Sequence, residues 1–264
     1  MQLIREGDSD IFNTEIPVEE TASSEEDIQH EKLDGATLNK NVKVEHENDD
    51  RALEVVFNGP FNKILFQNVR IIRTKIDALF KCESSDSAKL FYVLDGSIGI
   101  NFWKADSEEK FSEFLNKRGR IFLPAEIEHE IAVTKDSILI CCSEKPFDDS
   151  TDNHEILSDN IKLDLIYNGV EYKQVKVATA SRDAELGGHF HEYGELFHLL
   201  EGEAEFELCH IETGEKNTHK LKAGERLFIP PKTNHTVSIK KGSILVGCTE
   251  EEYISPEHND KKLD

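Results

Sequence analysis

Two histidines one residue apart, His189 and His191, lie in the stretch Gly-His-Phe-His-Glu-Tyr-Gly-Glu, residues 188 to 195. Side chains two apart on a strand share a face, so the two imidazoles aim at one point. Gly194 lets the chain bend just before Glu195, whose carboxylate can join them. A further nitrogen ligand would complete a metal site, and His235 is the candidate. It follows the turn-like run Ile-Pro-Pro-Lys-Thr-Asn and opens the apolar stretch Val237 to Ile239. Three imidazoles and one carboxylate suit a divalent Fe, Mn, Zn or Ni ion, with positions left for water or substrate. A His-x-His pair alone is more often a surface pair; the surrounding constellation is what makes it a metal site.

The same alternation predicts the surroundings. Phe197 shares the face of Glu195, His198 takes the opposite one, and Val237 points with His235. Ile244, Val246 and Cys248 share a face, expected to be inward. Phe228 lies two before Pro230, with Arg226 on the same face. The expected substrate pocket is therefore Phe197, Arg226, Phe228, Val237 and Cys248, mostly apolar with one thiol and one guanidinium. The candidates for a general base are Glu195, His198 and Cys248.

Strands must position these groups. From Leu53 onward, short β-branched and aromatic runs recur between Gly, Asn, Asp, Ser and Lys, the texture of an all-β chain. Examples are Leu53–Phe57, Ile64–Val69, Leu90–Leu94, Ile98–Phe102 and Ile138–Cys142. The segment Lys104 to Lys117 reads as a short helix or a long hairpin loop. The chain also repeats itself. Leu94-Asp95-Gly96 matches Leu200-Glu201-Gly202, Arg120 to Pro124 matches Arg226 to Pro230, and His129 matches His235, each pair 106 positions apart. Cys142 matches Cys248 at the same offset. A constant offset across separated segments indicates a duplicated domain, with the polar stretch Asp148 to Asn160 as linker. Moved back by that offset, the four ligand positions fall on Glu83, Ser85, Lys89 and His129. A protonated lysine cannot ligate a cation, so the first copy is expected to be metal-free.

The chain has 264 residues and a net charge of -22, which argues against nucleic acid or anionic lipid as default partners. No apolar run approaches the ~20 residues that span a bilayer, and the start lacks the apolar core of a signal peptide. Five scattered cysteines fit free thiols and a cytoplasmic location. Residues 1–50 are acidic and poor in large apolar side chains, the composition of a disordered segment. A short piece, Ile11 to Val18, could still add an edge strand.

The spacing of His189, His191, Glu195 and Gly202, followed by Gly224, Pro230 and His235, resembles the two signature motifs of the cupin superfamily. Two positions depart from that pattern: Asp183 and Lys232 stand where a glycine is usual. The resemblance implies a bicupin, two tandem small jelly-roll-type β-barrels after the acidic segment. Residues 51–150 would form a degenerate domain and 151–264 the metal-binding one. It implies His189, His191, Glu195 and His235 as ligands of one divalent ion, and a small organic molecule as ligand or substrate. The expected function is a metal-dependent enzyme with dioxygenase or isomerase/epimerase chemistry. The alternative is a non-catalytic binding or sensor protein with a structural metal. A monomer and a homodimer both fit.

Overall fold

The structure, a computed structural model, describes residues 2–4, 28–29, 36–39, 44–47, 51–61, 63–82, 86–105, 107, 109–146 and 160–262. Where the acidic segment is described, at residues 2–4, 28–29, 37–39 and 44–47, it forms strands paired into the sheets rather than the expected disorder. The rest of it, the stretch Ile11 to Val18, most of the linker, and Glu83 and Ser85 lie outside the described residues.

Strands dominate. In chain order they begin with β1 (Gln2–Ile4), β2 (Ile28–Gln29), β3 (Thr37–Asn39), β4 (Val44–Glu47), β5 (Arg51–Asn58), β6 (Phe66–Thr74) and β7 (Ala78–Cys82). There follow β8 (Lys89–Asp95), β9 (Ser97–Lys104), β10 (Phe111–Asn116), β11 (Arg120–Leu123), β12 (Ile127–Val133), β13 (Ile138–Ser143) and β14 (Ile161–Tyr172). The last are β15 (Gln174–Ala180), β16 (Ala184–His189), β17 (Glu195–Glu201), β18 (Glu203–His210), β19 (Lys216–Lys222), β20 (Arg226–Ile229), β21 (Thr233–Ile239) and β22 (Ile244–Thr249). One short helix, α1 (Pro256–Asn259), ends the series. The ambiguous segment Lys104 to Lys117 is a hairpin arm: β10 pairs antiparallel with β9, Phe111 opposite Phe102.

The chain divides into two compact units. The first comprises residues 1–42 and 66–170, the second residues 43–65 and 171–264. This differs from the contiguous domains 51–150 and 151–264 that the sequence suggests. The strand preceding each repeat is used by the other unit: β5 pairs with β15 in the second, and β14 neighbours β6 in the first. Composition cannot reveal this, because an apolar strand fits either sheet equally well.

The duplication is visible in the strand order. The first unit has β14-β6-β13-β8-β11 in one sheet and β7-β12-β9-β10 in the other; the second has β5-β15-β22-β17-β20 and β16-β21-β18-β19. Each unit packs its two sheets around an apolar core, the layered solution for half-buried sheets. In the second unit Phe197, Leu199 and Leu245 from one sheet meet Phe206, Val237 and Ile239 from the other. Burying such a side chain contributes about 1.5–3 kcal/mol relative to leaving it exposed.

Individual contacts repeat as well. Ser137 Oγ accepts from the Ser97 N–H, and Ser243 Oγ from the Glu203 N–H. Asp77 accepts from the Lys135 N–H at 2.7 Å, and Asp183 from the Lys241 N–H at 2.9 Å. Asp183, one of the two departures from the usual motif, is thus a turn-binding carboxylate in both copies.

Candidate metal centre

The second unit builds the centre from its two sheets. His189 ends β16 and stands opposite His235 of β21 in the ladder. The register shifts between Gly187 and His189. Gly187 has φ +89°, and a Cβ there would lie 2.5 Å from the His235 carbonyl oxygen. Only glycine permits that approach, so the bulge that turns His189 toward His235 depends on it. His191 follows two residues later, and Glu195 opens β17. Gly194, placed to let the chain bend, is needed for a different reason. Its φ is ordinary, but a Cβ would meet the Phe228 ring at 2.6 Å. Its N–H also donates to Glu250 Oε2 at 2.7 Å.

The expected ligands come together. One ring nitrogen from each of His189, His191 and His235 lies within 4.8 Å of the others. Glu195 Oε2 is 3.4 Å from His235 Nε2 and 3.6 Å from His191 Nε2. His191, Glu195 and His235 are buried at 5%, 1% and 2% exposure. Among the described residues this is the cluster of metal-ligating side chains that the fold gathers.

The donor set fits a divalent ion on its own evidence. His191 Nε2 and Glu195 Oε2 are buried without a hydrogen-bond partner, while Glu195 Oε1 pairs with the Lys176 ammonium. Leaving the first two unbound is expensive unless something else binds them. The tautomers agree. His191 Nδ1 lies 2.8 Å from the Asn259 carbonyl oxygen, which can only accept, so the proton is on Nδ1 and the Nε2 lone pair faces the cluster. His235 Nδ1 lies 3.3 Å from the Thr233 carbonyl in the same sense. Burial, then the neighbouring His235 and His191, pushes the His189 imidazole down to about 3. Burial likewise lowers His235. His189 and His235 are therefore held in the neutral form that ligates. Burial would raise the Glu195 carboxyl; the Lys176 ammonium beside it opposes this and keeps the group ionised, below its ordinary value.

Lys232, the second departure from the motif, takes φ 60°, the left-handed conformation that glycine favours. Its N–H donates to the His191 carbonyl at 2.7 Å. Glu126, at the corresponding place in the first unit, has φ 68°. The motif's geometry survives without its glycine.

The cluster opens on a cavity of about 280 Å³. Phe197 and Val237 line it, as alternation predicts; Arg226, Phe228 and Cys248 do not. On β20 it is Leu227 and Ile229 that pack into the core, leaving Arg226 exposed and Phe228 47% exposed. Ile229, not Pro230, pairs with Glu195, so the inward face of β20 runs through Ile229 and Leu227 rather than Phe228 and Arg226. On β22 the cavity face belongs to Leu245 and Gly247, so Cys248 faces the other way. Its thiol, fully buried, is pushed far up by burial and by Glu195, which removes it as a base. His198 is 2% exposed, and its neighbour Phe197 takes the cavity face.

Sequence reasoning missed the residues that complete the wall: Lys176 and Gln174 on β15, Leu53 on β5, and Tyr253 and Asp260 near the C-terminus. Alternation along β15 was available as a signal for Lys176; nothing local marks the C-terminal residues. There, Asn58 exchanges two hydrogen bonds with the Tyr253 backbone, both at 2.7 Å. Phe190 and Lys261 pair by backbone hydrogen bonds. Asp260 approaches His189 Nδ1 at 3.9 Å and His191 Nδ1 at 3.8 Å, and burial raises its carboxyl. Tyr193 stacks on His191 with centroids 4.7 Å apart, and its hydroxyl accepts from Asn259 Nδ2 at 3.1 Å.

In the first unit, Lys89 replaces the carboxylate. His129 is buried, lies edge-on to Phe91 at 5.4 Å and bonds the Ile127 carbonyl at 3.2 Å. That interior is filled by apolar side chains, among them Phe80, Phe91 and Phe102. No metal-ligand cluster occurs there among the described residues.

Comparison with known proteins agrees on the second unit. The cupin domain model matches residues 178–245. Similar solved structures include the formate complex of Lactobacillus farciminis oxalate decarboxylase, at 12% identity and TM-score 0.47, covering 80% of this chain and 84% of that one. A serine-to-alanine variant of Bacillus subtilis oxalate decarboxylase matches at 12% identity and TM-score 0.47, covering 80% and 75%. The Bacillus subtilis enzyme at pH 4.6 matches at 11% identity and TM-score 0.42, covering 83% and 72%. No curated protein sequence matches the chain. The match to the cupin domain model spans the stretch that carries His189, His191, Glu195 and His235, and residues 178–245 are similar to a cupin domain.

Proposed function

We propose that the protein is a bicupin and a metal-dependent enzyme that acts on a small organic substrate in the cavity of its second unit. One observation carries the reading: three imidazoles and Glu195 converge at the wall of a cavity of about 280 Å³. A structural metal site closes its coordination with protein ligands, whereas a catalytic one keeps a position open. This cluster faces a space that water or a substrate oxygen can enter.

His189, His191, Glu195 and His235 would hold the ion. Fe, Mn, Zn or Ni bound there would supply Lewis acidity toward a substrate oxygen, and iron would add oxygen chemistry. Dioxygenation and isomerisation or epimerisation are the chemistries this donor set supports. The chain's own part is to orient the imidazoles through the Asn259 and Thr233 carbonyls. The apolar wall of Phe197, Val237 and Leu245 limits water. The cavity lies at the small end of ligand pockets, which span about 300–1,000 Å³. Free Cys141, Cys142, Cys209 and Cys248 support a reducing, cytoplasmic setting.

The test is water access. Protein loaded with Mn(II) should enhance water proton relaxation, and a small substrate analogue should reduce that enhancement. A loaded protein with no exchangeable water would favour the non-catalytic binding protein instead.

A further inference from the structure

Lys176 is the single lysine or arginine among the described residues that line the cavity. Its stem crosses Gly247, where an added Cβ would stand 3.2 Å from Lys176 Cε. The missing side chain at position 247 makes the room. Lys176 Nζ lies 3.1 Å from Glu195 Oε1, so the ammonium sits one carboxylate away from the metal position. An ammonium has three donors and no acceptor. Glu195 takes one, and the lining around the lysine combines apolar Leu53, Ala178 and Leu245 with the amide of Gln174.

Charge points the same way. Imidazoles ligate in the neutral form, so a divalent ion and the Lys176 ammonium outweigh the Glu195 carboxylate. Asp260, on the cavity wall, offsets part of the excess. Uncompensated charge at a buried site is costly. A neutral ligand would leave that excess in place; an anionic one removes it.

We infer that the cavity selects small carboxylate anions with an apolar substituent, the carboxylate set between the metal and Lys176 and the substituent against Phe197, Val237 and Leu245. This rests on the metal-dependent reading above. It assigns Lys176 a role in ligand selection, beyond neutralising Glu195.

The experiment uses full-length protein loaded with Co(II), whose visible spectrum reports on its ligands. Isovalerate is titrated against isovaleramide, a neutral molecule of nearly the same shape. Cobalt content is measured first, by elemental analysis. Isovalerate should perturb the spectrum saturably and the amide should not. Lys176→Met should keep the cobalt and weaken isovalerate by about tenfold or more. Gly247→Ala, which presses on the lysine stem and the Phe197 ring but removes no ionisable group, should weaken isovalerate by a smaller factor, and it decides the matter if the lysine variant does not fold. Equal affinity in the variants, equal response to the amide, or a loaded wild type indifferent to isovalerate would overturn the inference alone. A wild type that takes up no cobalt would overturn the metal reading itself.

Discussion

His191 Nδ1 meets the Asn259 backbone carbonyl at 2.8 Å, across 68 positions of sequence. A metal ligand of the first motif is thereby oriented by the C-terminal segment. Ser255 caps the short helix there by accepting from the His258 N–H. The Asn259 side chain, 4% exposed, accepts from the Ile254 and Ser255 N–H groups and donates to Tyr193 Oη and the Glu252 carbonyl.

Asn259→Ala removes those four bonds and loosens the carbonyl that holds His191. Metal affinity should fall by about 10–100-fold, the usual cost of losing an outer partner of a metal-bound histidine. Chelator competition measures it. Unchanged affinity would mean that the C-terminal segment covers the site without orienting it.

Gly96 and Gly202 occupy matching turns, with φ +79° and +83°. A Cβ at either would strike the facing serine, 2.9 Å from Ser137 Cα or 2.7 Å from Ser243 Cα. Alanine at either position should destabilise its unit by about 1–3 kcal/mol. Urea unfolding checks this, and a neutral result in one copy alone would show that the turns are not equivalent.

Much of this was legible in sequence because it depends on local spacing. The His-x-His pair, Glu195 and His235 are carried by strand periodicity, and the repeat by a constant offset; both reappear as geometry. What escaped depends on distant partners. The exchange of β5 and β14 between units follows no local rule. Lys176 reads as an ordinary strand lysine until Glu195 is placed beside it. Asp260 and Asn259 sit in a polar tail with no periodicity. Arg226, Phe228 and Cys248 were misplaced because a one-residue error in parity moves every side chain to the other face.

The first unit carries a pH dependence of its own. Burial, then Lys89, lowers His129 to about 3 from its ordinary 6.5. The unfolded chain therefore binds a proton that the folded chain refuses. This contribution to stability is complete above 6.5 and is lost as pH falls from there toward 3, by about 1.4 kcal/mol per pH unit. His129→Asn should lack this part of the slope. Comparing unfolding free energies of the two proteins between pH 7 and pH 4.5 tests it; parallel curves would show that His129 titrates normally.

The most direct measurement is elemental analysis of protein purified without a metal-affinity column, beside a His189→Ala, His235→Ala double variant. The account predicts about one equivalent of Fe, Mn, Zn or Ni per chain in the wild type and its loss in the variant. A folded wild type that carries no metal and takes none up on titration, or a variant that keeps its metal, would contradict the assignment of the centre.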